Sequence, residues 1–410
     1  MRSHSSNRLI NPLQFAVMML FLSLPSLICA DEFTIEPHSV SLADRYQLES
    51  VGAFRLLEGT HGESRAAFAI GKIAVTSDDT SLYLAGHAHH FSVGSYDIAG
   101  AFAFGSIDEL PIAPISQNFV KINPELPYQE SATRITGLEL HEGRLLVTVD
   151  KYYDADVKNK ENFLFFENAV DLEKTIQFGF FPLQSRSHST GWMSKIPAPL
   201  AGKFGADYLI GSASNLPINS RNSIGPTFFT WTPPSPKHSI PLGKNINTSA
   251  KLDYSLAEPL SDDSYNESGN NDLWTELSTA ELGFISPDQQ SYIVVGTSGG
   301  HHSGIGYKIT QNNGRKCNGP CAYAHDDYYN YYWIYSIEDI LAVHYGEKLP
   351  SEVAPTSYGK LPTYSHEHLI IGADFNPISN MLYLTIAKAD ASQNRFESQP
   401  VIVGYEFITH

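Results

Sequence analysis

Short apolar runs rich in Val, Ile, Leu, Tyr and Phe recur along the chain, each bounded by Gly, Pro, Asn or Asp. Runs of that kind predict strands. They come in pairs: 81–86 with 95–98, 144–149 with 163–166, 207–211 with 226–231, 291–296 with 331–335, and 381–386 with 400–407. A polar loop separates the members of each pair. Turn formers precede several first members, at 77–80, 141–143, 286–290 and 376–380. Helical periodicity is scarce, and its best stretch is 337–344.

Five such units, about 60–90 residues apart, predict blades of antiparallel sheet arranged around an axis, a layout that leaves only short, protected edges. Five is a minimum, because the stretches 31–70 and 100–130 have room for strands of a sixth or seventh blade. The expectation is therefore an all-β chain, a β-propeller of five to seven blades. A large β-sandwich or jelly roll is the competing architecture.

Equivalent loops of a propeller open on one face, so the polar loops of the five units should converge. They carry His87, His89 and His90, then Lys151, Tyr152, Tyr153 and Asp154, then Asn219 and Arg221, and then His301 and His302.

The ends and the charge refine this. Arg2 and Arg8 precede an apolar run from Phe15 to Ile28, and Ala30 stands before Asp31-Glu32. That order predicts a cleaved export signal over 1–30, with one catalytic domain over 31–410 and a secreted, extracellular or periplasmic product. Cleavage would remove Cys29 and leave Cys317 and Cys321 as the remaining pair, so a buried core must hold the fold. The whole chain carries a formal charge of −17, with 27 basic and 44 acidic residues. No Lys/Arg run interrupts this acidity, which argues against nucleic acid as a partner. No later run is long and apolar enough for a membrane span, and a monomer is expected.

Several clusters carry candidate chemistry. Gly-His-Ala-His-His (86–90) follows an apolar strand, and strand alternation would put His87 and His89 on one side and His90 on the other. Its imidazoles could act as acid and base, ligate a metal, or bind an anion when protonated. In Asn-Ser-Arg-Asn-Ser-Ile-Gly-Pro (219–226), Arg221 offers a guanidinium fork to a carboxylate or sulfate. Lys151-Tyr152-Tyr153-Asp154 sets phenols beside charge. Each cluster also has a plainer reading, as loop histidines, a loop-tying arginine, or a wall on which sugars stack.

Metal candidates are Gly-Gly-His-His-Ser-Gly (299–304), Cys-Asn-Gly-Pro-Cys (317–321) and Ser-His-Glu-His (365–368). Two thiolates and two histidines could complete a structural zinc site, and calcium is a further candidate. A Cys317–Cys321 disulfide is the alternative. Phosphate-loop and metalloprotease signatures are absent from the sequence. Asp154, Asp156, Asp262 and Asp263 are available for a glycosidase-type carboxylate pair, but spacing does not select among them.

Taken together, this inventory resembles the secreted ulvan lyases of marine bacteria. The resemblance spans most of 31–410 and lies in architecture and residue types rather than in one diagnostic string. It implies seven blades, β-elimination on a sulfated, uronate-containing polysaccharide, and a zinc ion. By that resemblance His89, His90, Tyr153 and Arg221 are catalytic. The resemblance also makes His302, Cys317, Cys321 and His366 the zinc ligands, while the convergence of the loops makes Lys151, His87, Asn219 and His301 the expected substrate-binding residues. The chain departs from the pattern in two ways: no histidine lies between His90 and His141, and Tyr153 and Arg221 are far apart. A propeller glycosidase and a non-catalytic glycan- or partner-binding propeller are the alternative functions.

Overall fold

The alternation of apolar runs and turns folds into five sheets of four or more strands, with two short two-stranded ribbons beside them among the described residues. The computed structural model describes residues 34–127, 132–154, 156, 158–212, 224–235, 241, 243–364 and 368–410. The export signal expected over 1–30 lies outside them.

Blade 1 consists of Ile73–Val75, Ser81–Ala85, Ser92–Asp97 and Ile115–Lys121, from the axis outward. Blade 2 is Arg134–His141, Arg144–Asp150, Glu161–Phe166 and Gln177–Pro182. Blade 3 is Met193–Lys195, Tyr208–Ile210, Phe228–Trp231 and Ser249–Leu252. Blade 4 is Thr279–Ile285, Ser291–Gly299, Tyr328–Ser336 and Ser357–Lys360. Blade 5 is Ile370–Asn376, Met381–Asp390 and Gln399–Thr409, completed by Tyr46–Leu56 and Ser39–Leu42 from the other end of the chain.

The first strands of the five blades pack in a closed ring, each against the next and the fifth against the first. Gln399–Thr409 pairs along Tyr46–Leu56, from Val401 opposite Arg55 to Thr409 opposite Tyr46. That seam closes the circle and leaves no open sheet edge between the chain's two ends. Five blades, not seven, is the correction to the number implied by resemblance. The stretches that could have held extra blades instead supply the closing strands of blade 5 and the outer strand of blade 1.

Inner strands this close need glycine. A Cβ on Gly137 would fall 1.9 Å from the carbonyl oxygen of Gly191, and one on Gly372 the same distance from that of Gly71. Farther out, aromatic side chains fill the wedges between blades. Phe284 of blade 4 stacks on Phe375 of blade 5 with centroids 4.2 Å apart, and Phe228 of blade 3 meets Tyr292 of blade 4 at 4.9 Å. Each fully buried ring of this kind stabilises the fold by about 1.5–3 kcal/mol.

The expected helix forms at Ile337–His344. Ser336 caps it by accepting the N–H of Asp339, and Ile337, Ile340 and Val343 are buried. No described helix is long and apolar enough to cross a membrane.

Candidate functional site on blade 4

In every blade the loop between the second and third strands opens on one face, because the blades share strand order and direction. The described residues of these loops are 86–91, 151–154, 156, 158–160, 211–212, 224–227, 300–327 and 391–398. The shared strand order puts the second-to-third-strand connections at one end of the ring. The side chains separate into distinct groups.

Residues 87–90 form a turn rather than continuing the strand. His87 and His90 consequently stack on one side, with centroids 4.3 Å apart, and His89 lies beside His87 at 5.5 Å. This corrects the expected alternation. Ser64 Oγ bridges the cluster, accepting the N–H of His87 at 3.0 Å and standing 3.1 Å from His90 Nδ1. Burial and the neighbouring His90 hold the His87 imidazole below its usual range.

In the next loop Lys151 is exposed, and Tyr153 is 64% exposed. Its neighbour Tyr152 lies against the Arg134 guanidinium, 5.5 Å from ring centroid to Cζ. Asp154 is a loop-tying residue, accepting N–H groups of Lys158 and Asn159. Asp263 plays the same part for Glu267 and Ser268. Asp156 pairs with its neighbour Lys158. Asn219, Arg221 and His366 lie outside the described residues.

Cys317 and Cys321 are joined as a disulfide, the alternative to thiolate ligation. His302 Nδ1 is engaged by Asp327 and Tyr329. The described residues therefore do not fit the expected zinc site. Among the described residues no group of three or more His, Cys, Asp or Glu is placed to hold a metal.

The richest constellation stands where blade 4's second strand runs out and its third begins. Gly299 pairs with Tyr328 at the last register position, which brings Gly300-His301-His302-Ser303 against Asp326-Asp327-Tyr328-Tyr329. Asp327 is fully buried and its carboxylate organises the turn. It accepts the backbone N–H groups of His301, His302 and Ser303 at 3.1, 3.2 and 2.9 Å, and the Ser303 hydroxyl at 2.7 Å. Three successive N–H groups on one anion form a nest. Burial alone would raise the Asp327 carboxyl; these hydrogen bonds outweigh it and hold it below the usual carboxylate range. Asp327 is thus ionised at neutral pH.

That anion faces His302, whose Nδ1 is 3.0 Å from Asp327 Oδ1 and 3.1 Å from the Tyr329 hydroxyl. A proton on Nδ1 gives the carboxylate a donor and leaves Nε2 with its lone pair on a side chain that is 61% exposed. Burial first, and then Asp327, raise the Tyr329 phenol above its ordinary value, so it keeps its proton.

Around this dyad lies an open cavity of about 530 Å³, bounded by Asp272, His301, His302, Tyr329, Tyr331, Tyr358 and Lys360. Lys360 Nζ sits 3.6 Å from the centroid of Tyr329. It makes no ion pair among the described residues. His301 is held below the usual histidine range by burial and is neutral at pH 7; its Nε2 is 2.7 Å from Ser298 Oγ. Tyr331 donates to the carbonyl of Asp272 at 2.8 Å. The result is a base with a buried orienting carboxylate, a free cation, two protonated phenols and an exposed tyrosine face.

His301 and His302 were legible from sequence; Asp327, Tyr329, Tyr331 and Lys360 were not singled out. Antiparallel pairing of the two strands flanking the insert is the signal that places Asp-Asp-Tyr-Tyr opposite Gly-Gly-His-His. No hydrogen bond, ion pair or ring contact among the described residues links His87, His89 or His90 to this cavity.

No family model matches the chain, and no curated protein matches it. Solved structures do. A candidate 6-phosphogluconolactonase from Bacteroides fragilis is 10% identical, over 85% of this chain and 78% of its own, with a TM-score of 0.33. The PQQ-bound aldose sugar dehydrogenase from Streptomyces coelicolor is 10% identical, over 91% and 99%, with a TM-score of 0.37. Hydrazine synthase from Kuenenia stuttgartiensis is 13% identical, over 77% and 63%, with a TM-score of 0.31. Likeness at this level assigns no chemistry. The propeller assignment rests on the five sheets and their closed ring, and the reading of the site rests on its own residues.

Proposed function

We propose that this protein is a lyase that cleaves a uronate-bearing polysaccharide by β-elimination, at the blade 4 cavity. The observation that supports the reading most is the buried Asp327 carboxylate holding His302 beside the unpaired Lys360 ammonium.

The chemistry follows from what elimination requires. The C5 hydrogen of a uronate becomes acidic only when the neighbouring carboxylate is neutralised, and Lys360 supplies a positive charge for that. A base must then take the proton. Tyr329 retains its own proton, so the base is His302 Nε2, with Asp327 stabilising the imidazolium that forms. The electron pair of the C5–H bond becomes the C4=C5 double bond as the C4–O bond breaks. The leaving oxygen takes a proton from the Tyr329 phenol. Tyr358, partly exposed at the rim, gives a sugar ring a face to stack on.

The cavity's openness suits a chain rather than a small metabolite. The overall acidity of the molecule would repel an anionic polymer at long range, but salt screens that beyond about 10 Å at 0.1 M ionic strength. The local Lys360 charge then decides. This placement differs from the one implied by resemblance, which put the acid/base work on His89, His90 and Tyr153. The reading is tested by incubating the protein with ulvan and following the ultraviolet absorbance of an unsaturated uronate. Its rise supports elimination, whereas new reducing ends without it would indicate hydrolysis.

A further inference from the structure

A second site, unrelated to the blade 4 cavity, lies on the propeller axis. Each blade contributes one residue within or just before its inner strand: Lys72, Thr136, Trp192, Glu281 and Ile371. Three of these are bulge residues. The pairing register slips between Ile135 and Gly137, between Ala280 and Leu282, and between Ile370 and Gly372. In each case the extra residue is the one at the axis. Repeating a bulge at the same level in three blades re-aims three side chains toward one point, a device that sheets use beside functional sites.

All five residues line a cavity of about 240 Å³ on the axis, together with Arg134 and Asp150. Four of its walls are charged, and the charges are already balanced. Lys72 pairs with Glu281 and also donates to the carbonyl of Ile371 at 2.9 Å. Arg134 makes a two-pronged contact with Asp150 at 2.6 and 2.5 Å. All four side chains are less than one-fifth exposed. Trp192, almost wholly buried, forms an aromatic wall, and the hydroxyl of Thr136 is buried without a hydrogen-bond partner. Thr136 lines the cavity, and a hydroxyl left without a partner beside it is open to a ligand once the side chain turns toward one.

We infer that the axial cavity is a binding site for one neutral pyranose ring. An anionic ligand would have to compete with Glu281 or Asp150 for cations that are already paired. A polyol does not: its hydroxyls donate to carboxylates and accept from Lys72, Arg134 and Thr136, while its C–H face lies on Trp192. The volume is below the roughly 300–1,000 Å³ of drug-sized sites, which limits the occupant to a single small ring and not a chain.

The test is titration of the full protein with D-glucose, D-galactose, D-xylose, L-rhamnose and D-glucuronate, read by calorimetry and by tryptophan fluorescence. At least one neutral sugar binds and perturbs the fluorescence. Thr136→Val weakens it by about fivefold, and Glu281→Gln by about tenfold or more. Circular dichroism and melting of both variants confirm that they are folded. His302→Ala leaves the binding unchanged, which separates this site from the blade 4 cavity. The inference is overturned if none of the four neutral sugars binds, if glucuronate binds more tightly than all of them, or if both folded axial variants bind as the wild type does.

Discussion

His302 Nδ1 stands 3.0 Å from the buried carboxylate of Asp327, and that one contact joins fold and chemistry. Asp327 is held by the turn it organises, and the turn exists because the second and third strands of blade 4 pair to their ends. Replacing His302 by Ala should lower elimination by about 10²–10⁴-fold while leaving the melting temperature nearly unchanged, since the side chain is largely exposed. Asp327→Asn should reduce the rate as well, but with a loss of about 1–3 kcal/mol of stability, because the nest of N–H groups loses its anion. Rates and denaturant melts of the two variants distinguish a base from its orienter.

Lys360 is expected to act on substrate charge rather than on the fold. It is exposed, and its ammonium rests over the Tyr329 ring. Lys360→Met should lower kcat/KM by about tenfold or more on a uronate polymer, and Lys360→Arg should recover part of it. Steady-state kinetics at low and high salt check this. A Met variant with full activity would remove the carboxylate-neutralising role.

Asp374, on the inner strand of blade 5, gives the stability a pH dependence. Burial raises its carboxyl from 3.8 to about 7, against the hydrogen bonds from Val75 and Phe375. A raised folded value means that the contribution is fully present below about pH 4 and is lost as the pH rises through 7. The Glu139 carboxyl is shifted the same way, by burial and then by Asp374. Asp374→Asn should therefore gain stability relative to wild type at pH 8, by about 1–3 kcal/mol, and gain little at pH 4. Urea melts across that range measure the difference.

The Cys317–Cys321 disulfide closes a short loop within the insert of blade 4. Loop-closure entropy for so few residues is about 2 kcal/mol, so reduction should soften the insert without unfolding the propeller. A chelator should leave the melting curve in place, because the two sulfurs are bonded to each other. Thermal melts with reductant and with chelator, run separately, test both statements.

Much of the fold was legible because the residues that build it are local. The pairs 144–149 with 163–166 and 381–386 with 400–407 are the second and third strands of blades 2 and 5, whose apolar runs are long and sharply bounded. Inner strands such as Met193–Lys195 are too short to announce themselves, and Thr136 or Glu281 is re-aimed by a bulge that no periodicity reveals. Blade number was obscured because Tyr46–Leu56 pairs with the distant Gln399–Thr409. At the site, His301 and His302 stand out as a doublet. Asp327 and Lys360 reach them only through strand pairing, so their part is invisible until the register is known. The turn at 87–90 shows the converse: a conspicuous histidine run whose geometry follows a tight turn instead of a strand.

The most direct test of the central claim is the ultraviolet absorbance of unsaturated uronate released from ulvan by the wild type and by His302→Ala. The account predicts a steady rise with the wild-type protein and a loss of at least about a hundredfold in the folded variant. An equal rise with both proteins, or cleavage by the wild type that yields only saturated ends, would contradict it.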